Sequence, residues 1–431
     1  MLDIRYVREN AQRVKEFTTQ KGYTVDIDQI LKLDEERREL QQKVDQLRAK
    51  RNDISSQMKG GKPDAELVER GRVIKTELVE FEERLRVIDD EFLRELKKIP
   101  NAPFKGVPVG ATEDENVVVR TVGEKPHFNF TPKNHWEIAE VRGWIDKERA
   151  AKVAGSRFAY VKGELVRLHF ALLQFAMDVV SDEKILQKII DDNNLKATAK
   201  PLVPVLPPAM IRTDIYEATA RLNGEEVTYK LADDELWLNA SAEHSLCSMY
   251  QGEIISEADL PLRFVGYTTA FRREAGTYGK DMEGIFRLHQ FDKLEMQSFT
   301  VGDDSLQEHL LMVAIQEYLM QKLELPYRLL EKCTADIGGP NAKGMDIDTW
   351  LPGQGKYRET HTADLMTDYQ ARRLQTRVRR KDGSIELVHT NDATAFSQRP
   401  LIAIIENYQN EDNTVRVPRV LRNYLGGREV L

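Results

Sequence analysis

The chain has 431 residues, 41 % of them apolar, enough for a sizeable core and for two or three domains. Its formal net charge of −8 argues against indiscriminate binding to nucleic acid or anionic membranes, so a nucleic-acid partner would need locally concentrated positive charge. Its two cysteines, Cys247 and Cys333, have neither metal-ligand spacing nor a disulfide framework, no apolar run approaches the ~20 residues of a membrane span, and the start MLDIRYVREN is charged. These features set the expectation of a cytoplasmic protein with no structural zinc and no membrane segment.

After a short amphipathic start, residues 28–99 read as two long helices. In the first, Ile30, Leu33, Leu40, Val44, Leu47, Ile54 and Met58 recur in steps of three and four, with Arg37 and Arg51 at the skipped seam positions. In the second, Leu67, Ile74, Leu78, Phe81, Leu85, Ile88, Phe92 and Ile99 follow the same rule, interrupted at Gly71 and Glu95. A sustained 3.5-residue repeat is a coiled-coil seam. Between the helices KGGKPD, residues 59–64, cannot continue a helix, so the chain turns back near Gly60 and forms an antiparallel arm. Residues 37–62 hold eight Lys/Arg (Arg37, Arg38, Lys43, Arg48, Lys50, Arg51, Lys59, Lys62) against three acids, a local balance of +5. That stretch suits a clamp on a phosphate backbone. A solvated charged face on an arm used for dimerisation is the ordinary alternative.

IPNAPFKGVPVG, residues 99–110, holds three prolines and two glycines and reads as a linker. The expected division is a helical hairpin over 1–104 and a second domain over 105–431. HWEIAEVRGWIDKERAAKV, residues 135–153, and GELVRLHFALLQFAMDVV, residues 163–180, read as helices, the second strongly apolar. PLVPVLPPAM reads as an extended strand. Alternating segments follow at RFVGYTTAFRRE, GIFRLHQFDKLEMQSFTV, GMDIDTWLP and SIELVHTND, with one helix, DDSLQEHLLMVAIQEYLMQKL, among them. Strands in succession with few helices between them favour an α+β domain built on a mostly antiparallel sheet. No GxGxxG follows a strand and no GxxxxGK[ST] occurs, so neither a dinucleotide fold nor a P-loop is indicated.

FRREAGTYGKDMEGIFRLHQFDKLEM, residues 271–296, carries the chemistry. Strand parity puts Arg272 and Glu274 on one face, and Arg287, His289, Phe291, Lys293 and Glu295 on one face of the returning strand. The glycine-rich connection GTYGKDMEG can move over a ligand. Arginines suit phosphate oxygens, a phenyl ring can stack on a base, and a carboxylate can hold an amino group. Together they describe a site for a nucleotide and an amine. A surface hairpin with cross-strand ion pairs is the alternative that parity leaves open.

FRREAG followed by FRLHQFDKLEM resembles motif 2 of class II aminoacyl-tRNA synthetases, in the form of the seryl-tRNA synthetases. WEIAEVRGWIDKERAAKVAGSRFAYVKGEL resembles that family's entry to the catalytic domain and motif 1. LWLNASAEHSL matches the position of its serine-binding Thr-x-Glu signature, WLPGQGKYRETHTADLMTDYQARR its WLP…YRE…DxQARR block, and RPLIAIIENYQ with VPRVLRNYLGG its motif 3 and C-terminal end. The matches are collinear over nearly the whole chain. The resemblance implies a homodimeric serine–tRNA ligase that uses ATP and Mg²⁺ to form seryl-adenylate and passes the acyl group to the tRNA for serine, with the selenocysteine tRNA left open. A synthetase-like paralogue that loads another acceptor, or binds RNA without catalysis, is the competing reading.

By that resemblance Arg272 contacts the α-phosphate, Glu274 the adenine amino group and Arg287 the γ-phosphate. Phe291 and Arg399 cover the two faces of adenine, and Glu359 holds Mg²⁺. Arg272, Glu359 and Arg399 are the catalytic set. Arg273, Leu288, His289, Gln290, Thr360, His361 and Thr362 line the nucleotide pocket. Ser241, Ala242, Glu243, Arg272, Glu295 and Asn391 receive serine, with Glu295 on the ammonium and Glu243 on the hydroxyl. The arm grips tRNA through Arg37, Arg38, Lys43, Arg48, Lys50 and Arg51. The chain departs from the bacterial pattern before the motif 3 arginine, where Asp392, Ala393 and Thr394 replace Gly-Ser-Gly. The serine-contacting hydroxyl expected at 393 is missing, and Asn391 is the candidate to take its contact. EKILQKIIDDNNLKATAK, residues 183–200, reads as an added surface helix.

Overall fold

In a computed structural model, residues 1–58, 64–222, 228–274 and 284–431 are described. The hairpin tip at Gly60, with Lys59 and Lys62, and the 275–283 part of the segment expected to move over a ligand lie outside these residues. The chain divides into two compact units, Met1–Ala102 and Pro103–Leu431, two residues from the boundary read in the sequence.

The first unit is helical: α1 Ile4–Glu9, α2 Ala11–Gln20, α3 Ile27–Gln57 and α4 Ala65–Leu96. Asp26 caps α3 by accepting from the Gln29 amide at 2.9 Å, and Asp64 caps α4 by accepting from the Glu66 amide at 3.3 Å. The seam forms as spaced. Leu40, Val44 and Leu47 of α3 pack with Leu78 and Leu85 of α4, and Ile74, Phe81 and Ile88 flank them half-buried. Arg37, at a skipped seam position, lays its guanidinium 4.7 Å from the Phe92 ring and bonds the buried Asp34 at 2.9 Å. The seam therefore accepts an arginine by pairing its charge and covering its stem with an aromatic ring.

The second unit is built on an eight-stranded sheet. Its strands are β1 Val117–Val122, β2 Val203–Val205, β3 Leu262–Phe271, β4 Gln290–Thr300, β5 Tyr327–Glu331, β6 Lys343–Leu351, β7 Lys356–Thr367 and β8 His389–Ser397. The spatial order is β1-β5-β6-β7-β8-β4-β3-β2, antiparallel throughout except for the β2–β3 edge pair. The main helices are α5 Glu164–Val180, α6 Glu183–Asp192, α7 Ala242–Cys247, α8 Ser305–Lys322, α9 Tyr369–Leu374 and α10 Gln398–Asn407.

Parity sorts the sheet's side chains. Leu294, Met296, Ala363 and Ala393 join the core with Leu311, Ile315 and Leu319 of α8. Gln316 of α8 donates to the carbonyls of Thr362 and Thr394 at 2.7 and 2.8 Å, tying β7 and β8 to that helix. The alternate residues, among them Lys293, Thr362, Asp364, Asp392 and Thr394, line the opposite face.

Two expectations change. Residues 135–153 are not one helix but His135–Val141 and Lys147–Ala154, because Gly143 takes φ +62 and Trp144 donates back to the Ala139 carbonyl. The segment after residue 183 does form a helix, α6, but it is not merely superficial: Leu186, Ile189 and Ile190 are buried in the main core.

Candidate active site

A pocket of about 280 Å³ opens on the face opposite α8. Arg272 and Glu274 follow the end of β3, and Glu274 adopts φ +47. Phe291 and Lys293 come from β4, Thr360 and Thr362 from β7, and Asp392 and Thr394 from β8. Arg399 enters from the first turn of α10, which Ser397 caps by accepting from the Arg399 amide at 3.3 Å. Strand β4 begins at Gln290, so the parity expected to run from Arg287 to Glu295 breaks. Arg287 still reaches the pocket. His289 turns away, with its Nδ1 2.9 Å from the Arg272 carbonyl and its ring against Phe158.

The charges are paired with one another. Arg287 donates to Glu274 at 3.1 Å, and Arg399 reaches Glu359 at 3.0 Å. The Arg272 guanidinium lies 5.2 Å from the Phe291 ring, and its Nε donates to the Ala240 carbonyl at 3.1 Å. Lys293 sits 2.6 Å from Glu295 and donates to Ser241 at 3.3 Å. A ligand with phosphates and an ammonium would exchange these partners for its own, so the groups are held in position before it arrives.

Burial shapes the electrostatics. Desolvation opposes ionisation of Glu359, although its side chain is half-exposed, but Arg399 and then Lys332 outweigh it and hold the carboxyl down to about 2. Burial raises Glu295, with Lys293 opposing. Burial, opposed by Lys332 and reinforced by Glu359, pushes Asp346 up to about 8. Burial would lower the Lys332 ammonium, yet Asp346, Asp364 and Asp336 keep it raised. The floor is thus a charge lattice in which each group depends on its neighbours.

Of the residues singled out in the sequence, Arg272, Glu274, Arg287, Leu288, Phe291, Glu359, Thr360, Thr362, Arg399 and Glu243 line this pocket. Ser241 and the fully buried Glu295 border it through Lys293. The others do not meet there. Gln290 lines a neighbouring apolar cavity of about 390 Å³, which shares Leu288 and Phe291 with the first. Arg273 lies over the Tyr229 ring at 5.1 Å. Ala242 belongs to a separate core with Leu246 and Phe299. His361 is buried beside Phe396, where burial drops its pKa to about 3.

Asn391, proposed as the stand-in for the missing serine, faces the other way. It is fully buried and donates to Ser298 Oγ at 3.2 Å. Its cross-strand partner is Ser298, whereas Asp392 pairs with Gln297 on the pocket side. Sequence reasoning missed Asp392, Asp364, Lys332 and Arg221. Alternation along HTNDATAFS would have flagged Asp392; nothing local in the sequence points to Arg221, which reaches the pocket from the turn after a short helix at Thr213–Ala218.

The basic residues singled out for a phosphate backbone lie along α3. Arg38, Lys43, Arg48, Lys50 and Arg51 are exposed, and Arg37 is half-buried. Arg48 donates to Glu82 of α4 at 2.8 Å.

Comparison with known proteins accords with both units. Residues 1–103 match the family described as "Seryl-tRNA synthetase N-terminal domain", and residues 227–408 match "tRNA synthetase class II core domain (G, H, P, S and T)". A serine–tRNA ligase of Thermodesulfovibrio yellowstonii is 40 % identical over 99 % of both chains, and one of Deinococcus radiodurans is 38 % identical over 100 % of this chain and 99 % of that one. The crystal structure of seryl-tRNA synthetase from Pyrococcus horikoshii complexed with ATP superposes with a TM-score of 0.88 at 37 % identity, over 100 % of this chain and 99 % of that chain. The cytoplasmic serine–tRNA ligase of Naegleria fowleri in complex with AMP gives 0.84 at 27 % identity, over 100 % and 98 %. With identity of this level sustained from end to end across both units, the chain belongs to the seryl-tRNA synthetase family.

Proposed function

We propose that the protein is a serine–tRNA ligase that condenses L-serine with ATP to seryl-adenylate and transfers the seryl group to the 3′ end of tRNA. The observation that carries this reading is one pocket lined by Arg272, Arg287, Arg399 and Phe291, with buried carboxylates farther along the same sheet face. Arg287 and Arg399 draw the triphosphate back over itself, Phe291 and Arg399 bracket adenine, and Arg272 meets the α-phosphate. Glu295 pairs with the serine ammonium. The serine carboxylate attacks the α-phosphorus, pyrophosphate leaves, and the tRNA terminal hydroxyl then attacks the acyl carbon, releasing AMP. No side chain need act as nucleophile, so catalysis is positioning plus charge stabilisation.

Mg²⁺ fits this reading at Glu359, a half-exposed carboxylate held ionised beside Arg399, and it would supply charge neutralisation on the phosphates. Among the described residues no group of three or more His, Cys, Asp or Glu is arranged to hold a metal ion, which suits a cation that arrives with ATP. The basic stripe on α3 is the surface for the tRNA backbone, with the selenocysteine tRNA a second substrate to be tested.

A homodimer belongs to the same proposal: Val153 and Phe170, 74 and 54 % exposed, lie at one apolar cavity that an interface would cover. No helix among the described residues is long and apolar enough to cross a membrane, and both cysteines are buried and unlinked, in keeping with work in the cytoplasm. Serine-dependent ATP–pyrophosphate exchange, followed by charging of tRNA, tests the assignment. Exchange with another amino acid and none with serine overturns it.

A further inference from the structure

The pocket lining contains a group that the roles above do not use. Arg221, 13 % exposed at its side chain, donates from Nε to Glu243 Oε1 at 2.9 Å. Its Nη2 lies 3.6 Å from Asp364 and 3.9 Å from Asp392. One guanidinium is thus shared by three carboxyl groups. Gln370 donates to the same Glu243 oxygen at 3.1 Å, so Glu243 is clamped from two sides. Asp392 is not clamped. Its side chain is 3 % exposed, it lines the pocket, and its Oδ1 has no hydrogen-bond partner. A buried polar atom left unpaired costs free energy until something binds it.

Cross-strand register gives the place of Asp392 along the pocket face. Thr394 pairs with Glu295 and Asp392 with Gln297, so Asp392 stands one two-residue step beyond Glu295, away from Phe291. Asp364 of β7 is its partner on the other side. Along the face the order is nucleotide at Phe291, ammonium at Glu295, then Asp392. An amino acid bound by its ammonium at Glu295, with its carboxylate toward the α-phosphate, has its side chain left to meet the far end. Ala393, the position where a hydroxyl was expected, is packed in the core and contributes nothing there.

We propose that Asp392 is a specificity-determining residue, whose Oδ1 hydrogen-bonds the side-chain hydroxyl of the bound serine beside the Glu243 wall that Arg221 and Gln370 hold in place. The inference rests on the serine-activation reading. Burial, followed by the nearby Glu243, raises the Asp392 carboxyl well above the usual range, against Arg221. A protonated carboxyl offers both a donor and an acceptor to a hydroxyl. A substrate lacking the hydroxyl would leave Oδ1 unpaired, which is how a polar pocket rejects alanine.

The test is amino-acid-dependent ATP–pyrophosphate exchange with serine, alanine and threonine for the full-length wild type and for Asp392→Ala and Asp392→Asn. The expected result for Asp392→Ala is a serine KM raised and a serine-over-alanine preference reduced, each ~10–100-fold, with the ATP KM within about twofold of wild type. Asp392→Asn, which keeps a donor and an acceptor, retains most of the preference. A purely structural role would not move the serine-to-alanine ratio. An unchanged ratio in Asp392→Ala overturns the inference and leaves the serine-activation reading intact. A wild type that does not exchange with serine overturns both. Should Asp392→Ala fail to fold, wild-type crystals with a non-hydrolysable seryl-adenylate analogue decide. The serine hydroxyl within about 3 Å of Asp392 Oδ1 supports the assignment, and the hydroxyl directed elsewhere refutes it.

Discussion

The two units use the same charged residues to opposite ends. On the helices, Arg48 with Glu82, Arg72 with Glu69 and Arg86 with Glu83 are exposed pairs within 2.8 Å, and the further contacts of Arg48 with Asp45 and of Arg86 with Asp90 are exposed as well. Such pairs contribute little to stability and are weakened by salt. In the pocket, Arg221 and Lys332 are each shared among several carboxyl groups while Arg399 holds Glu359, and Asp346, Glu359 and Asp392 titrate far from their ordinary values. Exposure lets a charge be replaced at small cost, whereas burial makes it part of a lattice whose members cannot be removed singly. On the proposed function, the helical unit would present its charge to a large, mobile polyanion, while the pocket would hold charge fixed for small ligands.

Removing Arg272, the pocket arginine beside the Phe291 ring, should give the largest effect. Arg272→Ala is expected to reduce serine-dependent exchange by ~10²–10³ or more, the scale for loss of one stabilising group at a developing charge, with the melting temperature little changed. Exchange within tenfold of wild type would show that Arg272 lies off the reaction path. A buried pair away from the pocket separates stability from chemistry. Arg263 donates to Glu308 at 2.8 Å with both side chains under 5 % exposed. Glu308→Ala should cost about 3–5 kcal/mol in denaturant unfolding, while Glu83→Ala on the helical unit should leave the transition where it is. Similar shifts for the two would erase the contrast.

The next effect belongs to the basic stripe. Reversing Arg38, Lys43, Lys50 and Arg51 to Glu should lower tRNA charging strongly while exchange persists. For every side chain that no longer neutralises a phosphate, the dependence of log affinity on log salt should flatten by about 1. A salt slope equal to that of wild type would return the stripe to an ordinary solvated face.

The smallest effect is a titration. His309 of α8 is fully buried, neither ring nitrogen has a hydrogen-bond partner, and burial lowers its pKa to about 3. The unfolded chain protonates this histidine below about 6.5, so its contribution is complete above that pH and is lost as pH falls toward 3. His309→Leu should be near wild type at pH 7.5 and lose ~2 kcal/mol less than wild type on transfer to pH 5.0. Parallel pH curves would contradict it.

What could be read from the sequence follows the same division. The hairpin was legible because a heptad seam is a local, periodic signal, and even the arginine at position 37 shows in the spacing. The antiparallel sheet was legible as a succession of short alternating segments, and the motif residues Arg272, Phe291, Glu359 and Arg399 do converge. The start of β4 was not legible, because the chain from Ile285 to His289 alternates like a strand yet does not join the sheet until Gln290. Asn391 was misdirected for a related reason: resemblance supplies position in the chain, whereas register decides facing, and one residue's difference puts Asp392 in the pocket and Asn391 against Ser298. Arg221 comes from a segment with no periodic signal, and only tertiary folding brings it to Glu243, Asp364 and Asp392.

On the proposed function, ATP and serine meet on the β4–β7–β8 face, in an order set by position along β4. Crystals of the full-length protein with a non-hydrolysable seryl-adenylate analogue test it most directly. Adenine is expected against Phe291, the α-phosphate position beside Arg272 and the ammonium on Glu295. An analogue bound away from that face, or bound there with its acyl end toward Arg287, would contradict it.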